Sequence, residues 1–254
     1  MTYGVLVNTF KLKDKICLII GASSGLGREA CKYLDSLGAQ VIAVARREDK
    51  LKELQKECSN LNYKVFDFSI QENVKFLVDE IVQEYGKVNA MAYFSGIACV
   101  TPLRMIDVNK AKEVFDINFF GCLELLKCLY DKRKSDQLSV VLISAASLRV
   151  SLSSMSIYDG SKGALNSLAV SLVKDFAKFG YRINSILPAH IDTEMTEKVI
   201  SIRSKDYEHE LTNYYPLGTG KESDIAHLCA FLLSPLSAWI SGQSIVADGG
   251  RSAF

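Results

Sequence analysis

Histidine is scarce in this chain. His190, His209 and His227 are its only three, isolated from one another, and no metal site is expected from them. Its seven cysteines, Cys17, Cys31, Cys58, Cys99, Cys122, Cys128 and Cys229, are odd in number and never spaced Cys-x-x-Cys. That argues against a disulfide framework or a zinc ribbon, and reads as reduced thiols in a cytoplasmic protein. No apolar run is long enough to cross a bilayer. Met1 to Leu12 lacks a basic segment followed by an apolar one, so no secretory signal is expected. A surplus of one charge is also missing, with 30 basic against 29 acidic side chains. That balance argues against nucleic acid or an anionic membrane as a partner. No linker, repeat or low-complexity stretch interrupts the 254 residues, so residues 1–254 are expected to form a single domain.

What the chain does have is regular alternation. Candidate strands lie at Ile16–Ile20, Val41–Ala45, Tyr63–Phe66, Val88–Tyr93, Val140–Ile143, Arg182–Leu187 and Ser244–Val246, and most are short apolar runs without polar alternation. Strands covered on both faces have this pattern. Between them lie amphipathic stretches. Leu26, Ala30, Leu34 and Leu37 share one helical face, stopped by Gly38, and Val74 to Tyr85 carries an apolar stripe closed by Gly86. Further helices fit Val108–Leu129, Ile157–Phe179 and Glu222–Leu233, the last ended by Pro235. The expected fold class is α/β: a doubly wound, mostly parallel, Rossmann-like sheet of seven strands with helices on both faces. Residues 194–220 have no clear place in the sheet and are a candidate substrate lid.

Two motifs carry chemistry. Gly21-Ala-Ser-Ser-Gly25-Leu26-Gly27 joins the first strand to the first helix. Glycines there permit a tight turn and let backbone N–H groups approach a pyrophosphate at the helix N-terminus. The second strand ends in Ala45-Arg46-Arg47 with no carboxylate at its tip. Two arginines offer bidentate donors to a 2′-phosphate, with Ser23 and Ser24 adding hydroxyls, so NADP(H) is favoured over NAD(H). The competing reading makes Arg46 and Arg47 a solvated helix start paired with Glu48 and Asp49. Asp67, ending the third strand, serves either the adenine amino group or a turn.

Tyr158-Asp-Gly-Ser-Lys162 puts a phenol and an ammonium one helical turn apart. A neighbouring ammonium and an oxidised nicotinamide both favour the phenolate and so lower the phenol's pKa. It then exchanges a proton with a carbonyl oxygen as hydride is transferred. Tyr130 and Lys134 match the same spacing, but sit in the charged segment Asp131-Lys132-Arg133 and read as surface.

With these motifs in order, the chain resembles the short-chain dehydrogenases/reductases of the single-domain type, including their 3-oxoacyl-thioester reductases. The likeness runs from Leu12-Lys13-Asp14-Lys15 to Asp248-Gly249-Gly250. It implies a catalytic set of Tyr158, Lys162 and Asn118, the last in the family's proton relay. It implies a cofactor set of Gly21, Ser23, Ser24, Gly25, Leu26, Gly27, Arg46, Arg47, Asp67, Phe68, Ser95 and Gly96. Tyr158 and Lys162 join that set, together with Pro188, Ala189, Ile191 and Thr193 of the segment that holds the nicotinamide carboxamide. It further implies a homodimer or homotetramer paired through the helices Val108–Leu129 and Ile157–Phe179, with the C-terminal strand at a second interface.

Three departures stand out. Tyr93-Phe94-Ser95-Gly96 replaces the family's Asn-Asn-Ala-Gly, and Pro188-Ala189 replaces Pro-Gly. The position of the catalytic serine, thirteen residues before the tyrosine, is Ala145. Ser144 and Ser147 are the neighbouring candidates to supply its hydroxyl, and Arg149 and His190 are candidates to meet an anionic or hydroxylated substrate. Ala145 also leaves open an NADP-binding regulatory or structural protein with little turnover. The leading expectation is an enzyme that interconverts a ketone and a secondary alcohol, on a 3-oxoacyl thioester or a polar metabolite.

Overall fold

The computed structural model describes residues 9–196 and 213–253. Seven strands form one sheet: β1 (Ile16–Ile20), β2 (Gln40–Ala45), β3 (Leu61–Val65), β4 (Val88–Tyr93), β5 (Ser135–Ile143), β6 (Arg182–Pro188) and β7 (Ser244–Ala247). Their order is β3-β2-β1-β4-β5-β6-β7, and every pairing is parallel. The sequence expectation of a mostly parallel sheet is therefore met in full. β5 begins five residues earlier than its apolar run, at Ser135, where Val88 pairs with Ser135 before the register shifts. β3 lies at Leu61–Val65 rather than Tyr63–Phe66 and is only partly covered, as an edge strand can be.

Alternate residues of each strand face opposite layers. On β1, Cys17 and Ile19 pack with the helices α1 (Gly25–Ser36), α2 (Glu48–Glu57) and α8 (Glu222–Leu233). Ile16, Leu18 and Ile20 pack on the other side with α3 (Val74–Tyr85), α5 (Gly121–Leu129), α6 (Ser156–Ser171) and α7 (Val173–Ala177). Both faces are thus buried, which is why the strands read as continuous apolar runs rather than alternating ones.

Two expected helices are subdivided. Val108–Leu129 is α4 (Val108–Phe115), a single π-helical turn over Asp116–Phe120, then α5. Ile157–Phe179 is α6 followed by α7, with Leu172 between them. The chain crosses from β3 at one edge to β4 beside β1, so the crossovers from β1 and β4 leave in opposite directions. In such sheets the crevice beyond the strand C-termini at that point is where a ligand fits.

Candidate active site

A cleft of about 630 Å³ opens at this switch point. Its floor is the turn after β1. Gly21 has φ +85°, and a Cβ there would lie 2.6 Å from the Ser95 backbone nitrogen. A Cβ on Gly27 would lie 2.4 Å from the Gly21 carbonyl oxygen. Only glycine lets this turn, the start of α1 and the loop after β4 come so close. The N-terminus of α1 has no side-chain cap from Ser24 and no acid in its first turn. Its first N–H groups are therefore left uncapped by Ser24 and by the helix's own first turn, as a pyrophosphate cradle requires.

The wall brings together Gly21, Ser23, Ser24, Gly25, Leu26 and Gly27 with Arg46, Arg47, Asp67, Phe68, Ser95, Gly96 and Thr193. Arg47 donates from Nε to Ser23 Oγ at 3.2 Å, from Nη2 to Ser24 Oγ, and from Nη1 to Glu194 Oε2 at 3.2 Å. Arg46 Nη1 lies 3.8 Å from Asp67 Oδ2. Neither arginine pairs with Glu48 or Asp49, and Glu48 instead pairs with Lys52. Asp67 fills the turn role, its Oδ1 accepting from the Ser69 backbone N–H at 2.9 Å, and it also lines the cleft. Of the segment after β6, Thr193, Glu194 and Met195 line the cleft. Pro188 and Ala189 pair in backbone with Ala247, and Ile191 is a buried bridge partner of Gly220.

Beyond Gly96 lies the chemical end. A Cβ on Gly96 would be 3.1 Å from Lys162 Nζ and 3.2 Å from Asn118 Oδ1, so that glycine leaves room for both. Lys162 is 3% exposed and donates from Nζ to the Ile143 carbonyl oxygen at 2.8 Å. Its Nζ sits 5.8 Å from the centre of the Tyr158 ring. Burial brings the Lys162 pKa down to about 8. Burial, with Asp159 adding to it, pushes the half-buried Tyr158 phenol above its ordinary range. This is opposite in sign to the expectation from sequence. Desolvation disfavours the phenolate and is the larger effect here.

Asn118 sits in the π-turn, fully buried. Its Oδ1 accepts from the Ile97 N–H at 2.8 Å, and its Nδ2 donates to Ile97 O at 3.2 Å and to Ser161 Oγ at 2.9 Å. Ser161 Oγ in turn donates to the Tyr158 carbonyl oxygen at 2.7 Å. One amide thus ties the loop after β4 to the first turn of α6, and so locates the phenol. π-turns recur at functional sites because the extra residue re-aims a side chain.

The remaining candidates are placed differently. Ser144 Oγ is buried and donates to the Lys162 carbonyl oxygen, and Ser147 Oγ donates to Asp159 Oδ1. Arg149 is exposed at the end of the short turn Ala146–Leu148. His190 is buried, with Nε2 3.6 Å from Asp192 Oδ1 and its ring 6.4 Å from that of Tyr215. Tyr130 stacks on Phe176 and Phe179, while Lys134 Nζ pairs with Asp79 at 2.6 Å, so the second Tyr-x-x-x-Lys is not a pair in space. Within the candidate lid, residues 197–212 lie outside the described residues. Sequence reasoning missed Phe66, Phe94 and Glu194 as cleft-lining residues. Phe94 was signalled only as a departure from the family pattern. Among the described residues no cluster of His, Cys, Asp and Glu is arranged to hold a metal, and no helix is long and apolar enough to cross a membrane.

This geometry is that of a Rossmann-like α/β fold with a cleft at its switch point, and comparison with known proteins adds the family. A family model described as enoyl-(acyl carrier protein) reductase matches residues 21–252. A tropinone reductase homologue of Arabidopsis thaliana, a chloroplastic protein, is 31% identical over 250 residues, covering 96% of this chain and 77% of that protein. The 3-oxoacyl-[acyl-carrier-protein] reductase of Thermotoga maritima is 29% identical over 246 residues, covering 94% of this chain and 98% of its own. The ligand-free aldohexose dehydrogenase of Thermoplasma acidophilum superposes with TM-score 0.85 at 25% identity, over 96% of each chain. The chain belongs to the short-chain dehydrogenase/reductase family. Members of that family use NAD or NADP.

Proposed function

We propose that the protein is an NADP(H)-dependent oxidoreductase that interconverts a ketone and a secondary alcohol. The observation that carries the cofactor half is the end of β2. Ala45 stands where an NAD site needs a carboxylate, and Arg46 and Arg47 flank the cleft beside Ser23 and Ser24. Arg46, Arg47 and the two hydroxyls would hold a 2′-phosphate, and the uncapped start of α1 the pyrophosphate. When bound, the nicotinamide supplies or accepts the hydride. Tyr158 gives its phenol proton to the carbonyl oxygen, or takes it back in the oxidative direction. Lys162 supplies the positive charge that eases that transfer, and Asn118 fixes the turn from which Tyr158 projects.

The reductases and the sugar dehydrogenase among its relatives suggest the substrates to screen: bicyclic and simple ketones, 3-oxoacyl thioesters, and polar hydroxylated metabolites such as sugar derivatives. We also place the protein in the cytoplasm as a single-domain homodimer or homotetramer, with residues 194–220 covering the substrate. The test of the cofactor is direct. Dissociation constants for NADPH and NADH are measured by cofactor fluorescence. NADPH is expected to bind more tightly, and Arg46→Ala to weaken it by about 1.5–3 kcal/mol, the scale of a hydrogen bond to a charged group, with little effect on NADH. Tighter NADH binding overturns the cofactor assignment. Saturable NADPH binding with no turnover across the whole carbonyl panel would instead favour a regulatory nucleotide-binding protein.

A further inference from the structure

Arg47 has its donors divided between two parts of the chain. Nε and Nη2 reach the hydroxyls of Ser23 and Ser24 in the glycine turn, but Nη1 reaches Glu194, 147 residues away in the segment after β6. All four residues line one cleft. Neighbouring cations have other carboxylates: Arg28 pairs with Glu57, Lys32 with Glu29, Lys50 with Glu53, and Arg46 lies 3.8 Å from Asp67. Glu194 also borders an adjoining cavity of about 300 Å³, which it shares with Glu29, Glu53 and Glu222. Glu29 and Glu53 are held by Lys32 and Lys50, whereas Glu194 occupies the guanidinium that a 2′-phosphate would need.

We propose that Glu194 sets this site's selectivity for a 2′-phosphorylated nucleotide by competing with the phosphate for Arg47. The proposal rests on the NADP(H) reading for its ligand, and goes beyond it in naming a residue outside the glycine turn and the second strand. Arg47 and Glu194 are 43% and 56% exposed, so their pair is weak and yields to a dianion rather than excluding it. The competition lowers NADPH affinity and leaves NADH untouched, because NADH puts no charge at Arg47.

The experiment is a double-mutant cycle of dissociation constants, read by cofactor fluorescence on the native chain, Glu194→Gln, Arg47→Ala and the double variant. Glu194→Gln is expected to tighten NADPH by about 3- to 10-fold and to change NADH by less than about two-fold, with the NADPH gain disappearing when Arg47 is alanine. An equal gain for NADH, no gain for NADPH, or a gain that persists without Arg47 overturns the proposal. A native chain that prefers NADH, together with an Arg47-dependent gain in Glu194→Gln, would keep the proposal and sink the NADP(H) reading.

Discussion

The Ser144 hydroxyl donates to the carbonyl oxygen of Lys162 at 2.8 Å, which ties the end of β5 to the middle of the first turns of α6. That bond commits the hydroxyl next to Ala145 to structure. Ser147 is committed as well, since its proton goes to Asp159. Neither serine is left to donate to a substrate carbonyl in this arrangement. Ala145→Ser is therefore expected to raise kcat by up to about 10²-fold on a suitable ketone, the scale of one added oxyanion donor. Ser147→Ala is expected to change kcat by less than about 10-fold, an expectation resting on that same hydrogen bond. Steady-state kinetics of the two variants decide it. A severe loss in Ser147→Ala with no gain in Ala145→Ser would show that Ser147 leaves Asp159 during the reaction.

Tyr158→Phe keeps the ring and removes the proton. Turnover should fall by about 10²–10⁴-fold or more, while the NADPH dissociation constant stays within about two-fold. Full activity in this variant would remove the phenol from the mechanism.

The pH dependence follows from Lys162. Burial lowers its pKa to about 8, so the ammonium is present below that pH and is lost as pH rises through it. Tyr158 is shifted the other way and stays a protonated donor across the same range. In the reductive direction kcat/KM, which reports the free enzyme, should be level below pH 8 and fall about tenfold per unit above it. A profile that stays flat to pH 10 would mean that the charge on Lys162 is not needed.

Two glycines separate backbone strain from crowding. Gly21 and Gly180 both have positive φ, +85° and +72°, but a Cβ on Gly180 meets nothing within 4 Å. Gly180→Ala should cost about 1 kcal/mol of stability through strain alone. Gly21→Ala adds a clash with the Ser95 backbone and should cost about 1–3 kcal/mol more, and it should also weaken the nucleotide. Thermal melts with and without NADPH measure both effects. Equal losses in the two variants would refute the close approach.

Assembly has a built-in reporter. Trp239, the only tryptophan, is 100% exposed just before the edge strand β7, and Phe120 and Val170 are exposed on the helices proposed to pair. If copies associate through the β7 edge, Trp239 emission should be blue-shifted at micromolar concentration and move to the red on dilution, in step with a fall in mass by light scattering. A monomer mass at micromolar concentration, with fully solvated emission, defeats the assembly.

The fold was legible because its strands are buried on both faces and its helices are punctuated by Gly38, Gly86 and Pro235. The misplacements have a physical cause. β5 opens with the polar Ser135-Asp136-Gln137, and β3 with Leu61-Asn62, too short to show a period; in both, the extended form is set by pairing with a neighbour rather than by their own pattern. The glycine turn and the Tyr158–Lys162 pair could be read because their spacing is local. The Arg47–Glu194 and Ser147–Asp159 contacts could not, since each joins segments whose meeting depends on the finished sheet. The direction of the Tyr158 shift was hidden for a similar reason: sequence shows the neighbouring charge but not the loss of water.

The π-turn at Asp116–Phe120 has a consequence for how this chain can change. It amounts to one residue inserted into an otherwise continuous helix, so the apolar stripes of α4 and α5 are out of phase by about one residue's rotation. Deleting a single residue there would restore an uninterrupted α-helix, which is the better local structure. It would also turn Asn118 away from Ile97 and Ser161, or else rotate Leu125 and Leu129 out of the core. A change of one residue in the length of this helix is therefore expected to cost either its packing or the site.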